Sequence, residues 1–382
     1  MGEYHKHKEC LICMAIVENG DDSSGLCGKC FAHGQQKPVD YTVKRLEIET
    51  LLAENKGRRI DVLAAVSGGF DSLYQLHLLK RELNAQVKAF TWDHYHSYIT
   101  VIKRIRRMII DLEVIEWTTV GLRFDVSSKL MKSFFCTVKR FCICPHFMLL
   151  RALPLAISEE IPLIAIGYSP DQNERKGCYQ LPEKNRRLEN LIEWSKSFKA
   201  LVLYCLERVF PDESNELADY LFHPLTKAIE YLKLKGGTAP AILQLSPYFP
   251  WSEKRSVLAK HYGWAKSEKI KLHNNCLFEP VRGYMEYIMD RPFLIEEANF
   301  LIRSGELTKE EAREGLARMN VASNQPKVLG EYLRYANMSM KDFHRELEQP
   351  MTDEATDLLY NYLKKLFAFQ GFDEKAIGPL IR

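Results

Sequence analysis

The sequence has no hydrophobic run long enough to cross a membrane. A spanning segment shows about 18 or more consecutive apolar residues, and the 382-residue chain contains no such stretch. The amino terminus, residues 1–9, also lacks the apolar core of a signal peptide. These two absences predict a cytoplasmic protein with no membrane partner.

An excess of either charge is missing as well. Lys and Arg number 53 and Asp and Glu number 50, a net charge of +3. Because a dedicated nucleic-acid-binding protein usually shows a clustered basic excess, this balance neither requires nor favours a nucleic-acid partner, although it does not exclude one. The basic run at 103–107 is interpreted as the solvated face of a helix. Hydrophobic residues at 46% and charged residues at 27% are typical of a globular chain and exclude a disordered one.

Cysteines, by contrast, are plentiful. The chain has ten, and in a long chain predicted to be cytoplasmic they more often bind metal or react than form disulfides. Two Cys-x-x-Cys pairs near the amino terminus supply the four thiolates that structural zinc prefers. A site with four protein ligands has no open position, so we expect it to support the fold. The predicted zinc ligands are Cys10, Cys13, Cys27 and Cys30.

A phosphate-binding loop is predicted between a strand at 59–66 and a helix at 73–83. Glycines let the backbone approach an anion, and the amino terminus of a helix adds a favourable dipole. Serine hydroxyls donate hydrogen bonds, and a carboxylate can hold the Mg²⁺ that accompanies a polyphosphate. No Gly-Lys-Ser/Thr follows the glycines, which excludes the usual P-loop. The candidate residues are Ser67, Gly68, Gly69, Asp71 and Ser72.

The hexapeptide Ser-Gly-Gly-Phe-Asp-Ser at 67–72 resembles the PP-loop of the N-type ATP pyrophosphatases. The resemblance implies binding of Mg·ATP, cleavage between its α and β phosphates, and adenylation of a substrate oxygen, with Asp71 in a catalytic role. It also implies an α/β fold with a Rossmann-like parallel sheet of the adenine-nucleotide α-hydrolase type. In such sheets, ligands bind at the carboxyl ends of strands. Asp93, which follows the predicted strand at 86–92, is therefore a further nucleotide-site candidate. In the resembling enzymes a glycine and acidic residues after the strand that corresponds to 162–166 face the nucleotide, which implies that Gly167 and Asp171 are candidates as well. Another strand is predicted at 113–120.

The chain as a whole is similar to the N-acetyl sugar amidotransferases. The segment 301–312 carries this likeness, and within it Thr308 and Glu311 predict a capping box that opens a helix. The resemblance predicts a zinc-ribbon-like module at 1–40, a PP-loop core at 41–184 and a mainly helical substrate or oligomerisation region at 185–382. It implies amidation of a carboxylated sugar or sugar nucleotide, a small-molecule substrate, with ammonia from a partner glutaminase. The amphipathic stretch 355–369 is predicted to pack on the domain or to form a homodimer contact.

A second group of cysteines departs from that family. The group lies at 136–144, ahead of the strand predicted at 162–166. PP-loop sulfurtransferases carry cysteines near this position, where they act as persulfide carriers or as ligands of a [4Fe–4S] cluster. They also carry a cysteine far downstream. The alternative function is therefore replacement of a carbonyl oxygen by sulfur in a tRNA base or small metabolite, with a sulfur-donor protein as partner. Burial as small hydrophobic residues is the competing interpretation. The group is Cys136, Cys142 and Cys144, with Cys276 as the downstream candidate, and the three proposed to be catalytic are Cys136, Cys144 and Cys276.

Overall fold

The structure is a computed structural model in which a five-stranded parallel sheet forms the centre of the chain. It describes residues 9–15, 17, 25–35, 39–140, 142–170, 172, 187–263, 276–288, 293–318, 325–372, 374 and 377. No helix within those ranges combines the length and apolar character needed to cross a bilayer.

The strands lie in the order β3-β2-β1-β4-β5, and every neighbouring pair is parallel. The predicted α/β fold with a parallel sheet is therefore confirmed. The chain builds the sheet outward from β1 to β3 and then returns to place β4 on the other side of β1, so the sheet has a topological switch point between β1 and β4. The strands are β1 Val62–Ala65, β2 Val87–Asp93, β3 Glu116–Gly121, β4 Leu163–Ile166 and β5 Ala241–Leu243.

The first strands alternate with helices, and both faces of the sheet are covered. Along β1, Leu63 faces one apolar cluster while its neighbours Val62 and Ala64 face the other, as the two-residue period of a strand requires. The helices that pack with the second of these clusters are α2 Tyr41–Glu54, α3 Phe70–His77, α4 Ile99–Asp111 and α9 Lys254–Tyr262.

Most of the helices pack on the opposite face of the sheet. The larger apolar cluster joins residues from 60 to 377, so the carboxyl-terminal helices belong to the core of the same unit. The amphipathic stretch predicted at 355–369 forms α15 and packs against α7. On this face lie α5 Phe124–Val138, α6 Cys144–Ser158, α7 Leu188–Glu207, α8 Ser214–Lys235, α10 Glu279–Ile288, α13 Leu329–Tyr335, α14 Met340–Glu348 and α15 Asp353–Gln370.

The sheet continues past the predicted boundary at 184. Strand β5 pairs with β4 through Leu163–Ala241 and Ile164–Ile242 and comes from the region predicted to be mainly helical. A division after residue 184 therefore does not separate the sheet from the helices that follow it.

The amino-terminal cysteines form a third, smaller apolar cluster with two carboxyl-terminal helices. These are α11 Phe293–Arg303 and α12 Lys309–Arg318, while α1 Gly28–Gly34 carries the last cysteine. The predicted capping box is present at the start of α12, where Thr308 N donates to Glu311 Oε2 at 3.0 Å and Glu311 N donates to Thr308 Oγ1 at 3.1 Å.

Candidate functional site

The predicted phosphate-binding loop lies at the switch point of the sheet, between the end of β1 and the start of α3. Gly68 has φ +78°, a conformation that disfavours any residue with a Cβ. A Cβ there would also lie 2.4 Å from Val101 Cγ1 on α4. Glycine is therefore required at this position for two independent reasons. Because glycine has no side chain, none covers the backbone of the loop at this point.

The two serines of the loop hold its ends together. Ser72 Oγ accepts from Ser67 N at 3.2 Å, lies 3.2 Å from Ser67 Oγ and donates to Gly69 O at 3.0 Å. Ser67 is exposed, whereas Ser72 is buried. The loop therefore exposes Ser67 at the positive end of the α3 dipole, an arrangement suited to an anion.

Gly167, which follows β4, lies directly against this loop. A Cβ on Gly167 would meet Ser72 Cα at 2.6 Å and Ser72 N at 2.8 Å. The residue predicted to face the nucleotide is thus needed for close approach of the fourth strand to the first turn of α3. Asp171 lies outside the described residues.

Asp71 is engaged by two side chains that sequence reasoning did not place at the site. Lys254 Nζ lies 2.6 Å from Asp71 Oδ1, and Trp251 Nε1 donates to the same oxygen at 2.9 Å. Both residues come from the segment after β5, about 180 positions along the chain. The stretch 248–251 contains three aromatic residues, but no local pattern distinguishes Lys254 from the other lysines.

Arg104 brings a second cation to the loop from α4. Its Nη1 donates to Gly68 O at 3.3 Å, and its guanidinium lies 5.4 Å from the centre of the Phe70 ring. The basic run at 103–107 was interpreted as a solvated face, and for Arg104 the structure corrects this, because the side chain is half-buried against the loop.

The end of β2 forms the next part of the same edge. Thr91 Oγ1 donates to Val66 O at 3.0 Å, which fixes the end of β1 to β2 just before the loop. Asp93 Oδ1 accepts from Tyr95 N at 2.8 Å and so organises the turn after β2. Its position at the carboxyl end of a strand beside β1 is the one predicted, while a role in nucleotide binding stays a prediction.

Three thiols gather beside the end of β2. Cys144 is the first residue of α6, Cys142 precedes it, and each affects the ionisation of the other. The Trp92 side chain hydrogen-bonds with Cys144. Cys276 joins this edge through an antiparallel bridge to Ser97 and through Leu277 N, which donates to His96 O at 2.8 Å. The fold therefore brings Cys276, the predicted downstream cysteine, to the edge of the sheet that holds Cys142 and Cys144.

The thiols differ in ionisation. Hydrogen bonding from Cys144 lowers the pKa of Cys142, and the Cys142 thiol together with burial holds the pKa of Cys144 well above its usual range. Burial raises the pKa of Cys276 to about 12, although Phe278 N donates to its Sγ at 3.4 Å. Cys142 is also the exposed member of the group, so it is the thiol best suited to meet a partner or reagent.

Cys136 lies apart, on α5. Burial raises its pKa to about 11, and its charged neighbours are Glu346 and Lys139. It packs on the larger apolar cluster, as a small hydrophobic residue would. The structure therefore links Cys142, Cys144 and Cys276 to one another, whereas Cys136 shares only neighbours with them, such as Tyr332 beside Cys142.

An aromatic cavity of about 300 Å³ opens next to Cys276. His96 contacts Phe278 and Tyr335 with ring centroids 4.1 and 4.2 Å apart. Its Nε2 atom is buried and has no hydrogen-bond partner among the described residues, and burial lowers the pKa of His96 to about 4. The cavity therefore holds a neutral imidazole able to bind a polar group. Its lining is His96, Phe124, Leu277, Phe278, Glu331, Arg334 and Tyr335.

The four amino-terminal thiols form a metal-binding geometry. Their sulfur atoms all lie within 4.8 Å of one another, and all four side chains are buried. Cys27 N donates to Cys10 Sγ at 3.3 Å, and Ala15 N donates to Cys13 Sγ at 3.5 Å, the backbone hydrogen bonds expected around thiolates. This donor set fits a single tetrahedral ion.

The module is fixed to the two helices behind it. Lys309 Nζ donates to Cys10 O at 2.5 Å, Arg313 Nη2 donates to Glu9 Oε1 at 2.7 Å, and Met14 N donates to Asn299 Oδ1 at 2.8 Å. Lys309 lies in the segment 301–312, and Asn299 and Arg313 lie beside it. The structure therefore assigns this segment to docking of the cysteine module.

Comparison with known proteins identifies no family. No model of a protein family matches the sequence, and no curated protein is significantly similar to it. Among solved structures, the chain is similar to the U34-tRNA thiolase NcsA from Methanococcus maripaludis with its [4Fe-4S] cluster. The identity is 15%, the match covers 84% of this chain and 90% of that chain, and the TM-score is 0.36. A likeness this distant carries no information on function.

Proposed function

We propose that the chain is an ATP-dependent sulfurtransferase of the PP-loop type. One observation carries the proposal: a three-thiol group lies along the same sheet edge as the predicted phosphate-binding loop. Cys144 and Cys276 contact the end and the following turn of β2, the strand that is hydrogen-bonded to the end of β1. Nucleotide and sulfur chemistry would thus share one edge, where ligands of parallel sheets bind.

The proposed reaction has two balanced steps. The carbonyl oxygen of the substrate attacks the α phosphorus of ATP, forming a C–O–AMP linkage while pyrophosphate leaves. Hydrosulfide, supplied by a donor protein, then attacks the same carbon, and AMP leaves with the original oxygen. The sulfur enters at the oxidation level of sulfide, so no further oxidant or reductant is needed. The chain's contribution is mainly positioning and neutralisation of charge.

Ser67, Gly68 and Gly69 would bind the phosphates through hydroxyl and backbone N–H groups. Arg104, which holds the Gly68 carbonyl, stiffens this loop from the side of α4. Asp71 is the candidate for Mg²⁺, and its present partner Lys254 lies within the same site. Asp93, Gly167 and Asp171 stay proposed neighbours of the nucleoside.

The aromatic cavity is the proposed substrate pocket. It begins one residue after Cys276, and it combines ring surfaces with the His96 imidazole and with two charged side chains, Glu331 and Arg334. Mainly apolar walls with a few polar groups are typical of sites for small or planar ligands. A tRNA base and a small metabolite with a ring carbonyl both meet this description.

The three thiols fit an iron–sulfur cluster as well as free cysteines. They are soft ligands from two segments, 142–144 and 276, and the Cys276 sulfur already accepts a backbone N–H, a common feature of cluster ligands. A [4Fe–4S] cluster held by Cys142, Cys144 and Cys276 would supply an iron site for the incoming sulfur. For the amino-terminal four, the compact tetrahedral set favours structural Zn²⁺.

Amidation of a carboxylated sugar, with a glutaminase partner, was the first expectation. A thiol group at the nucleotide edge has no use in that reaction, because ammonia needs no sulfur carrier. The geometry thus favours the alternative, and amidation stays a competing prediction that the following experiment addresses.

The test starts from protein purified without oxygen. We expect about one zinc per chain together with iron and acid-labile sulfide, and we expect Cys276→Ser to lose iron while it keeps zinc. The protein is then incubated with Mg·ATP and ³⁵S-sulfide, with bulk tRNA or a metabolite extract as acceptor. AMP release accompanied by ³⁵S in the acceptor supports the proposal. AMP release that requires ammonium and a carboxylated sugar nucleotide, with no ³⁵S incorporated, replaces it with amidation.

A further inference from the structure

Two side chains of opposite charge line the aromatic cavity. Glu331 and Arg334 are three residues apart on α13, and both are exposed. Across the part of the chain that the structure describes, neither side chain forms a hydrogen bond or an ion pair. A guanidinium and a carboxylate at the cavity are therefore available to a ligand.

The same spacing produces an ion pair on two other helices of this chain. Arg282 Nη2 lies 2.8 Å from Glu279 Oε1 on α10, and Arg345 Nη2 lies 2.9 Å from Asp342 Oδ1 on α14. In both pairs the acidic residue comes first, as it does on α13, and residues at i and i+3 are neighbours on a helix surface. The charged residues of α13 thus have a spacing that permits contact, yet each lines the cavity without binding the other.

The walls of the cavity are held in place without help from these two side chains. Tyr335 ends α13, and its hydroxyl donates to Ser127 Oγ at 2.7 Å. Its ring meets Phe124 edge to face at 5.0 Å, and Ser128 Oγ donates to Tyr335 O at 2.5 Å. The cavity is therefore formed in advance against α5. Its volume of about 300 Å³ is at the lower end for ligand pockets, which suits a ligand with a single ring.

The charge of the lining favours a small molecule over a nucleic acid. His96 is neutral, because burial lowers its pKa to about 4, and the lining residues other than Glu331 and Arg334 are uncharged. The lining thus has one positive group, one negative group and no net charge. A phosphodiester backbone binds through several cations, and at this cavity it would meet a single arginine beside a repelling carboxylate. A molecule with one acidic group and one N–H donor matches both side chains.

We propose that the acceptor of sulfur is a small planar acid, a single-ring cyclic amide that carries a carboxylate. Its ring lies between the aromatic walls, and its carboxylate accepts hydrogen bonds from Arg334, since a guanidinium and a carboxylate match in geometry. The ring N–H donates to Glu331, and the ring carbonyl is left for activation by ATP. This inference rests on the proposed function and deepens it, because it selects the small metabolite over the tRNA base.

The test compares acids with matched neutral rings, in the absence of ATP. The pairs are orotate with uracil and 5-carboxy-2-pyridone with 2-pyridone, and titration is followed by ligand-observed NMR, which detects weak binding. Each acid should bind about tenfold or more tightly than its neutral ring, the ratio expected for one charge-assisted hydrogen bond. Arg334→Gln should remove this preference by weakening only the acids. A preference that survives in Arg334→Gln overturns the inference.

Arg345→Gln is the matched control for this substitution. Arg345 has the same spacing from an acidic residue on a neighbouring helix, and it does not line the cavity. Its variant should keep the preference for the acids. Equal loss of the preference in both variants would show a general effect of charge, and this overturns the role given to Arg334.

Substitutions of Glu331 test the second contact. Glu331→Met removes the acceptor of the ring N–H, so it should weaken the binding of uracil, which has no carboxylate. Glu331→Gln keeps an acceptor oxygen and should bind uracil as the wild type does. If Glu331→Met binds uracil as tightly as Glu331→Gln, no N–H reaches this side chain, and the inference is wrong.

The inference and the proposed function fail in different ways. Binding of acids that depends on Arg334, with no ³⁵S transferred to any acid in the presence of Mg·ATP, overturns the sulfurtransferase and keeps the ligand class of the cavity. Transfer of ³⁵S to tRNA, with no preference for the acids, overturns the inference and keeps the sulfurtransferase. Binding of glucuronate in place of the planar acids overturns the inference and favours amidation. A wild-type protein that binds none of these probes also overturns the inference.

Discussion

Two groups of thiols in this chain have the same chemistry and opposite settings. The amino-terminal four are buried, and their sulfur atoms lie within 4.8 Å of one another. The central group is more open: Cys142 is exposed, and Cys144 and Cys276 are half-buried. Each of the amino-terminal pairs is local in sequence, whereas the central group depends on a residue more than 130 positions away.

This difference is the reason we propose one group as a structural site and the other as a reactive one. Four converging thiols fill the coordination of one ion and leave no position for a substrate. Three thiols at the edge of a sheet, one with a lowered pKa and one beside a cavity, leave room for a further ligand. The following predictions test that contrast, from the largest expected effect to the smallest.

Loss of one amino-terminal ligand should remove the metal and unfold the module. Zinc binding to such sets contributes about 10 kcal/mol or more to folding. We expect Cys30→Ser to lose one equivalent of zinc and to lose hydrogen-exchange protection in the docked helices α11 and α12, because their apolar partners are the cysteines. Nucleotide binding should change little, since the loop lies elsewhere. A variant that keeps its metal and its protection would show that the group is not a structural site.

Loss of a central thiol should instead reduce activity and leave the zinc site intact. Cys276→Ser should reduce sulfur incorporation roughly a thousandfold or more, because the proposed iron site for the incoming sulfur is lost, with zinc content and nucleotide binding unchanged. Cys136→Ser is the matched comparison, and we expect it to keep most activity because Cys136 lies on α5, outside the direct contacts that link the other three thiols. Equal loss in both variants would place Cys136 in the reactive group.

A substitution in the loop should disable the nucleotide without affecting either thiol group. Gly68→Ala places a Cβ at φ +78° and 2.4 Å from Val101 Cγ1. The strained backbone and the displaced loop should cost about 1–3 kcal/mol, and we expect weaker binding of α,β-methylene-ATP with unchanged zinc and iron. Gly237→Ala, away from the loop, serves as the control, because its Cβ would meet only the Leu232 side chain at close range, at 3.1 Å.

Alkylation should distinguish the two groups by rate. In protein exposed to oxygen and then reduced, iodoacetamide should modify Cys142 before any of the buried amino-terminal thiols, because Cys142 is exposed and its pKa is lowered. The rate should rise with pH and level off below the pKa of a free thiol. Cys144→Ala removes the hydrogen bond that lowers this pKa, so the Cys142 thiolate fraction at pH 7 should fall, by about tenfold per pKa unit. Mass spectrometry of the peptides measures both rates, and faster labelling of Cys13 than of Cys142 would contradict the contrast.

The sequence predicted those parts of the molecule that are encoded locally. The strand–loop–helix around Gly68 and four of the strands lie where the periodicity predicted them, and Thr308 and Glu311 form the predicted capping box. Strand β5 was missed, since Ala241–Leu243 is too short to show a period. Helix α6 begins at Cys144, with Pro145 in its first turn as helix starts favour.

What the sequence by itself determined is therefore the set of local devices: a glycine loop at the end of a buried strand, two cysteine pairs and a capping box. Each works through neighbours in the chain, so residue type and spacing are sufficient to specify it. The tertiary structure alone decided which cysteines meet and which lysine reaches Asp71. These encounters depend on the order of strands in the sheet and on the packing of α9 and α10, and a contact between residues about 180 positions apart leaves no periodic trace in the sequence.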